Sequence, residues 1–247
     1  MSESCEVYRF PQPVLAAEAC AKHILQRLEA AILERGAATL AISGGSSPKP
    51  MFQDFAHRAF PWDRVHLFWV DERGVPPTDS QSNFKLAFDT WLDAGKFPPS
   101  NIHRIQAELK PEEAARLYRN EIRRHFDLPA GGLPHFDVIH RGIGPEGHTA
   151  SLFPGEPLIR DHTTIAAEVW VEKMHQWRIT LLPGTLEAAR HTVMLVAGAD
   201  KTEVVRTVIE GAYEPDQYPA QIASRGSTAA WFMDEAAAAG LSKGVSA

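Results

Sequence analysis

Cysteine is nearly absent. Cys5 and Cys20 are the only two in 247 residues, both near the start, which suits neither a metal knuckle nor a disulfide framework and fits a reducing compartment. Long hydrophobic runs are missing too: the longest near-apolar stretches, 65–70 and 193–199, fall far short of the ~20 residues that cross a bilayer. The opening MSESCEVYRF carries Glu3, Glu6 and Arg9 where a secretion signal needs an unbroken apolar stretch. A cytoplasmic protein that engages no membrane is expected. Basic blocks are also lacking, with 25 Lys and Arg against 31 Asp and Glu and a formal net charge of −6. General nucleic-acid binding is thereby excluded, while a small anion can still be held by a few local cations and backbone amides. HExxH, CxxC and GxSxG do not occur, so no metal site and no dithiol or serine-elbow chemistry is expected.

What is present is ordinary globular material: 44% hydrophobic and 23% charged residues, enough to bury a core without staples. Helical spacing of Ile24, Leu25, Leu28 and Ile32 predicts a helix over 13–36, with Arg35 in the last turn and Gly36 as its stop. A short apolar run at 37–42 enters SGGSSP, after which 50–60 reads as helix. The same order recurs at 65–70, where the strand breaks at Asp71, Glu72 and Arg73 before a turn-rich stretch and a helix near 83–91. A surface helix is predicted over 111–126 with Ala115, Leu117, Ile122 and Phe126 on its apolar side, and the third strand, 136–140, runs into GIGPEGH and a short helix-like TASLF. Further strands are predicted at 165–171, 177–182, 192–197 and 228–233, with a helix at 200–210. This alternation, with strands as continuously apolar as VMLVA, predicts one α/β domain built on a mostly parallel, doubly wound, three-layer sheet. Residues 97–133 are the one stretch that could form a small lobe of their own.

In such sheets ligands lie beyond the carboxyl ends of the strands, so the chemistry is sought there. SGGSSPK, residues 43–49, puts Gly44, Gly45 and Ser46 between a strand and a helix. Its amides either cradle a phosphate or form a turn capped by Ser46 or Ser47. GIGPEG at 142–147 matches GxGxxG, but Pro154 and Gly155 cut off any long helix and Pro145 removes an amide donor, which argues against a dinucleotide. Gly144 and Gly147 are instead read as keeping the loop thin so that substrate reaches His148, the leading general base. His140, at the strand end, is read as a packing residue within reach of the same pocket. Asp71, Glu72 and Arg73 are costly to bury unless they pair or meet a ligand, the alternative being a solvated turn with an ion pair. Lys201 stands at a helix start, where a cation opposes the dipole unless an anion joins it; taken alone it reads as an exposed lysine.

Taken together, SGGSSP from Ser43, VDERGVPPTDSQSNFKLA from Val70, GIGPEGHTASLFPG from Gly142, TLLPGTLEAARHTVMLVAGADK from Thr180, and PAQIAS with TAAWFMDEAA near the end resemble the 6-phosphogluconolactonases. These belong to the superfamily shared with glucosamine-6-phosphate deaminases, and the TASLFPG ending favours the lactonase. The resemblance implies a Rossmann-like sandwich of the NagB type. It also implies cofactor-free hydrolysis of 6-phospho-D-glucono-1,5-lactone to 6-phospho-D-gluconate in the pentose phosphate route, by a monomer or weak homodimer. By the same resemblance His148 is the catalytic histidine, Arg73 lies near the lactone carbonyl, Asp71 contacts ligand or orients Arg73, Gly44, Gly45 and Ser46 form the phosphate loop, and Lys201 binds phosphate. His140 and Arg141 depart from the small or apolar residues of many members, and Pro145 with Glu146 replaces a pair ending in Asp. A deaminase or a non-catalytic sugar-phosphate sensor would use the same pocket.

Overall fold

Apolar runs become the central strands. The computed structural model describes residues 5–94 and 97–242; Glu3 of the opening segment lies outside them. Along the chain the elements are β1 Glu6–Phe10, α1 Pro13–Arg35, β2 Ala38–Ile42, α2 Lys49–His57, β3 Val65–Trp69, β4 Asp71–Arg73, α3 Asn83–Thr90, β5 Ile102–His103, α4 Pro111–His125, β6 Val138–Arg141, β7 Ala166–Val171, β8 Gln176–Leu181, α5 Pro183–Glu187, β9 His191–Val196, α6 Thr202–Glu210, β10 Ala229–Asp234 and α7 Glu235–Ala238. Seven strands form one parallel sheet in the order β1-β10-β9-β6-β2-β3-β5. All five residues of β2 and all six of β10 are buried, as expected of strands covered on both faces.

The two faces can be read residue by residue. On β9 and β10, Val193, Leu195, Ala230 and Phe232 join the core under α1. Their neighbours Met194, Val196, Trp231 and Met233 join a second cluster with Val204, Val205 and Val208 of α6 and Ala237 and Ala238 of α7. This two-residue alternation gives the three layers. Helix α1 buries Ala17, Cys20, Ala21, Ile24, Leu28 and Ala31, one stripe at helical spacing, and Gly36 ends it at φ 82° with its N–H on the Ile32 carbonyl.

The structure corrects the sequence reading of several elements. The opening segment contributes an edge strand, β1, of which only Val7 is buried, too little apolar alternation to register as a strand. Asp71, Glu72 and Arg73 are not a loop but a strand, β4, in a second, antiparallel sheet of order β4-β8-β7. Strands β7 and β8 are therefore a hairpin that interrupts the strand-helix alternation, turned through His175 in the left-handed conformation at φ 46°. TASLF is not helical: Ala150 sits at φ 53° and Thr149 bridges Leu152 across a tight turn.

Val70 is where the chain passes between the sheets. Its N–H donates to Ile42 of β2 while its carbonyl accepts from Leu181 of β8. Within 97–133, β5 adds the edge strand beside β3 and α4 lies on β7 and β8. Tyr118 of α4 takes the buried position expected of Leu117, and its hydroxyl accepts from the Trp69 N–H at 2.9 Å and donates to the Trp69 carbonyl at 2.6 Å. Tyr118→Phe leaves both backbone groups unpaired just before Asp71, so we expect a loss of about 1–3 kcal/mol in urea unfolding, with the fold retained.

Candidate active site

Three strand ends of the parallel sheet and two strands of the second sheet converge on a cleft of about 250 Å³. The loop after β2 supplies its first wall. Gly45 has φ 108°, and a side chain on Gly44 would fall 1.9 Å from Asn83 Oδ1. Only glycine permits that approach. The residue preceding α2 is Pro48, and no side chain caps the helix; neither Ser46 nor Ser47 fills that role. In the first turn of α2, Pro50 has no N–H and the Lys49 N–H donates to the Ser46 carbonyl at 3.4 Å, so the N–H groups of the cleft-lining loop residues Gly44, Gly45 and Ser46 are the ones left for whatever occupies the cleft.

The second wall is β4. Asp71 and Glu72 are 4% and 3% exposed, and among the described residues no ion pair joins either of them or Arg73 to a partner. Hydrogen bonds do the compensating instead. Glu72 accepts from the Arg73, Asn83 and Phe84 N–H groups and from Ser82 Oγ, at 2.7–3.0 Å, which fastens the start of α3 beneath the cleft. Burial nonetheless lifts its carboxyl above the ordinary value, the four donors opposing. Asp71 accepts from Ser151 Oγ at 2.8 Å and Asn83 Nδ2 at 3.4 Å. Arg73 reaches the cleft, and its Nε meets no protein partner.

The third wall is the glycine loop after β6. A side chain on Gly144 would lie 1.9 Å from His148 Nδ1 and 2.6 Å from Glu146 Oε2, so the glycine makes room for that pair. His148 Nδ1 lies 3.0 Å from Glu146 Oε2. A proton shared there leaves the ring's other lone pair on Nε2. Burial pulls the His148 pKa below its ordinary 6.5, against the upward pull of Glu146. Burial would raise Glu146, yet its own backbone N–H, His148 and Lys173 hold it down at about 2. The imidazole stacks on Phe153 at 4.2 Å. Gly147 does not line the cleft; at φ 89° it turns the loop against Tyr218.

Lys201 lines the far side, beyond β9, with its Nζ 2.9 Å from Asp200. The cleft thus brings together His148, Arg73, Asp71, Gly44, Gly45, Ser46, Gly144 and Lys201, but not Gly147. Two further side chains enter it. Arg178 of β8 faces Arg73 in the register, is 7% exposed, and has its Nε unpartnered. Its sequence signal is a lone guanidinium inside the apolar run WRITLL. His140 lies in the floor with neither ring nitrogen bonded to protein, and burial drives its pKa down to about 3. Arg141 turns away, its Nη2 donating to the Ile222 carbonyl at 2.6 Å.

Residues 11–231 match the family described as glucosamine-6-phosphate isomerases/6-phosphogluconolactonase. The chain belongs to that family. Within it, the 6-phosphogluconolactonase of Synechocystis is 38% identical over 221 residues, 88% of this chain and 90% of the relative. That of Mycobacterium leprae is 34% identical over 97% of this chain and 98% of its own. The solved 6-phosphogluconolactonase of Thermotoga maritima superposes with a TM-score of 0.81 at 26% identity, covering 93% of this chain and 99% of that one. A monomeric glucosamine-6-phosphate deaminase shares the fold, with a TM-score of 0.80 at 17% identity over 95% and 99% of the two chains.

For this family member, an NMR titration of the His148 ring should give a pKa below 6.5. Glu146→Gln should lower it further, because the carboxylate that favours the imidazolium is gone. A value above 6.5 in the unaltered protein would contradict this electrostatic picture.

Proposed function

We propose that the chain hydrolyses 6-phospho-D-glucono-1,5-lactone to 6-phospho-D-gluconate, with His148 as general base and Arg73 as oxyanion donor. The observation that carries this reading is the gathering of an imidazole, two guanidinium groups, a lysine and the glycine loop after β2 around one hexose-sized cleft. Its family membership and its curated relatives support the same substrate class.

The phosphate sits at the loop amides of Gly44, Gly45 and Ser46 and at Lys201, where backbone N–H groups and a primary ammonium meet the dianion. That anchor fixes C1 of the lactone beside His148. Neutral His148 takes a proton through Nε2 from a water molecule as the water oxygen bonds to C1. The carbonyl electrons move onto oxygen, and Arg73 donates to the resulting oxyanion. Arg178, across the β4–β8 register from Arg73, adds a second positive charge. As the tetrahedral species collapses, the C1–ring oxygen bond breaks and the imidazolium returns its proton to the leaving oxygen. Glu146 stabilises the imidazolium between the two steps, and Asp71 holds the β4 end in place through Ser151 and Asn83.

With freshly generated lactone and correction for spontaneous hydrolysis, His148→Ala should lower kcat/KM by about 10²–10⁴-fold. Lys201→Ala should lower it by about 10–100-fold, the worth of a charge-assisted contact to phosphate. Activity should hold near pH 7 and fall as acid protonates His148, an acid limb centred below pH 6.5. Undiminished turnover by His148→Ala, or ammonia release from glucosamine 6-phosphate in place of lactone hydrolysis, would refute the assignment.

A further inference from the structure

Three histidines that the cleft does not use come together at the other end of β3. His66 is the second residue of β3, His103 ends β5 and His125 ends α4. Their ligating nitrogens all lie within 4.8 Å of one another. His66 Nδ1 is 3.0 Å from His103 Nε2, and the three ring centroids are 4.4, 5.0 and 5.3 Å apart. Tetrahedral zinc with bonds near 2.0–2.1 Å separates its nitrogen ligands by about 3.3 Å, so small side-chain rotations bring all three nitrogens onto one ion.

A carboxylate sets the histidine that would matter most. Glu121 Oε1 lies 2.7 Å from His103 Nδ1. With the proton on Nδ1, the Nε2 lone pair points towards His66, the arrangement by which a carboxylate orients a metal-binding imidazole and makes it more basic. Glu121 also pairs with Arg124, which keeps the carboxylate at the ring. His66 and His125 border a second cleft of about 380 Å³, which Asp137 also lines. An ion has both an entry path and room for a solvent ligand.

We propose that His66, His103 and His125 form a binding site for one zinc-class divalent transition-metal ion, with Glu121 orienting His103. An all-imidazole donor set selects Zn²⁺, Co²⁺ or Ni²⁺ over Mg²⁺ and Ca²⁺. The ion ties the short edge strand β5 and the end of α4 to β3. No sequence signature announces it, because the ligands come from three separate elements, His66 and His103 being 37 positions apart. The site lies at the amino end of β3, whereas the cleft lies beyond its carboxyl end, so its success or failure is independent of the lactonase reading.

The test is titration of the full chain, stripped with a chelator, by Zn²⁺ in a calorimeter and by Co²⁺ in the visible spectrum. We expect one ion per chain, a Co²⁺ ligand-field band and a raised thermal midpoint. His125→Gln and His66→Gln should each abolish stoichiometric binding, and Glu121→Gln should weaken it by about 10–100-fold. His135→Gln, which changes an exposed histidine of the same cleft, should bind as the unaltered chain does. Absence of saturable one-to-one binding by the unaltered protein, which does not depend on any variant folding, would overturn the proposal. So would one-to-one binding that survives both His66→Gln and His125→Gln.

Discussion

Two buried carboxylates at the end of an apolar strand are the constraint on which the rest of the structure depends. Asp71 and Glu72 leave water without a cation in contact, a costly step unless donors are built around them. The donors come from every neighbouring loop: Ser151 from the turn after the glycine loop, Asn83 and Phe84 from the start of α3, Ser82 before it. Asn83 in turn occupies the space that forces glycine at position 44. Satisfying two acids therefore fixes the relative positions of three walls of the cleft.

The same economy explains how the reactive groups face one another. Passage of the chain through Val70 from one sheet to the other puts β4 against β8, and with it Arg73 against Arg178. Two guanidinium groups side by side repel, and the charges of Asp71 and, to a lesser extent, Glu72 ease Arg178. In the mechanism we propose, an anionic transition state in the cleft supplies what that pair lacks. His148 is treated in the opposite way: burial lowers its pKa while Glu146 pulls it up, the balance that the proposed general base draws on. Lys173 of the β7–β8 turn holds Glu146 from outside, so the second sheet reaches both the Arg73–Arg178 pair and the Glu146–His148 pair.

Much of this architecture is legible in the amino-acid sequence. Continuous apolar runs such as those of β2, β3 and β9 leave little choice but a covered parallel sheet, and the residues that follow them are the cleft. The elements that escape such a reading are those whose local signals contradict their surroundings. Strand β1 buries one residue of five and pairs only because β10 offers a free edge. Strand β4 is three charged residues, which no propensity assigns to a sheet; their register with β8 and the donors around them override it. TASLF has helix-forming residues, yet the bond from Ser151 to Asp71 and the positive φ at Ala150 bend it into a turn. Arg178 is hidden within an apolar strand, and His140 reads as a packing residue although its ring lines the cleft. In each case a contact distant in sequence decides the matter.

The most direct test of the central claim is a crystal structure of the protein with the reaction product, 6-phosphogluconate. The phosphate is expected against the loop amides of Gly44, Gly45 and Ser46 and against Lys201, with the C1 carboxylate between His148 Nε2 and Arg73. A product bound elsewhere, or bound in the cleft with its phosphate at the His148 end, would contradict it.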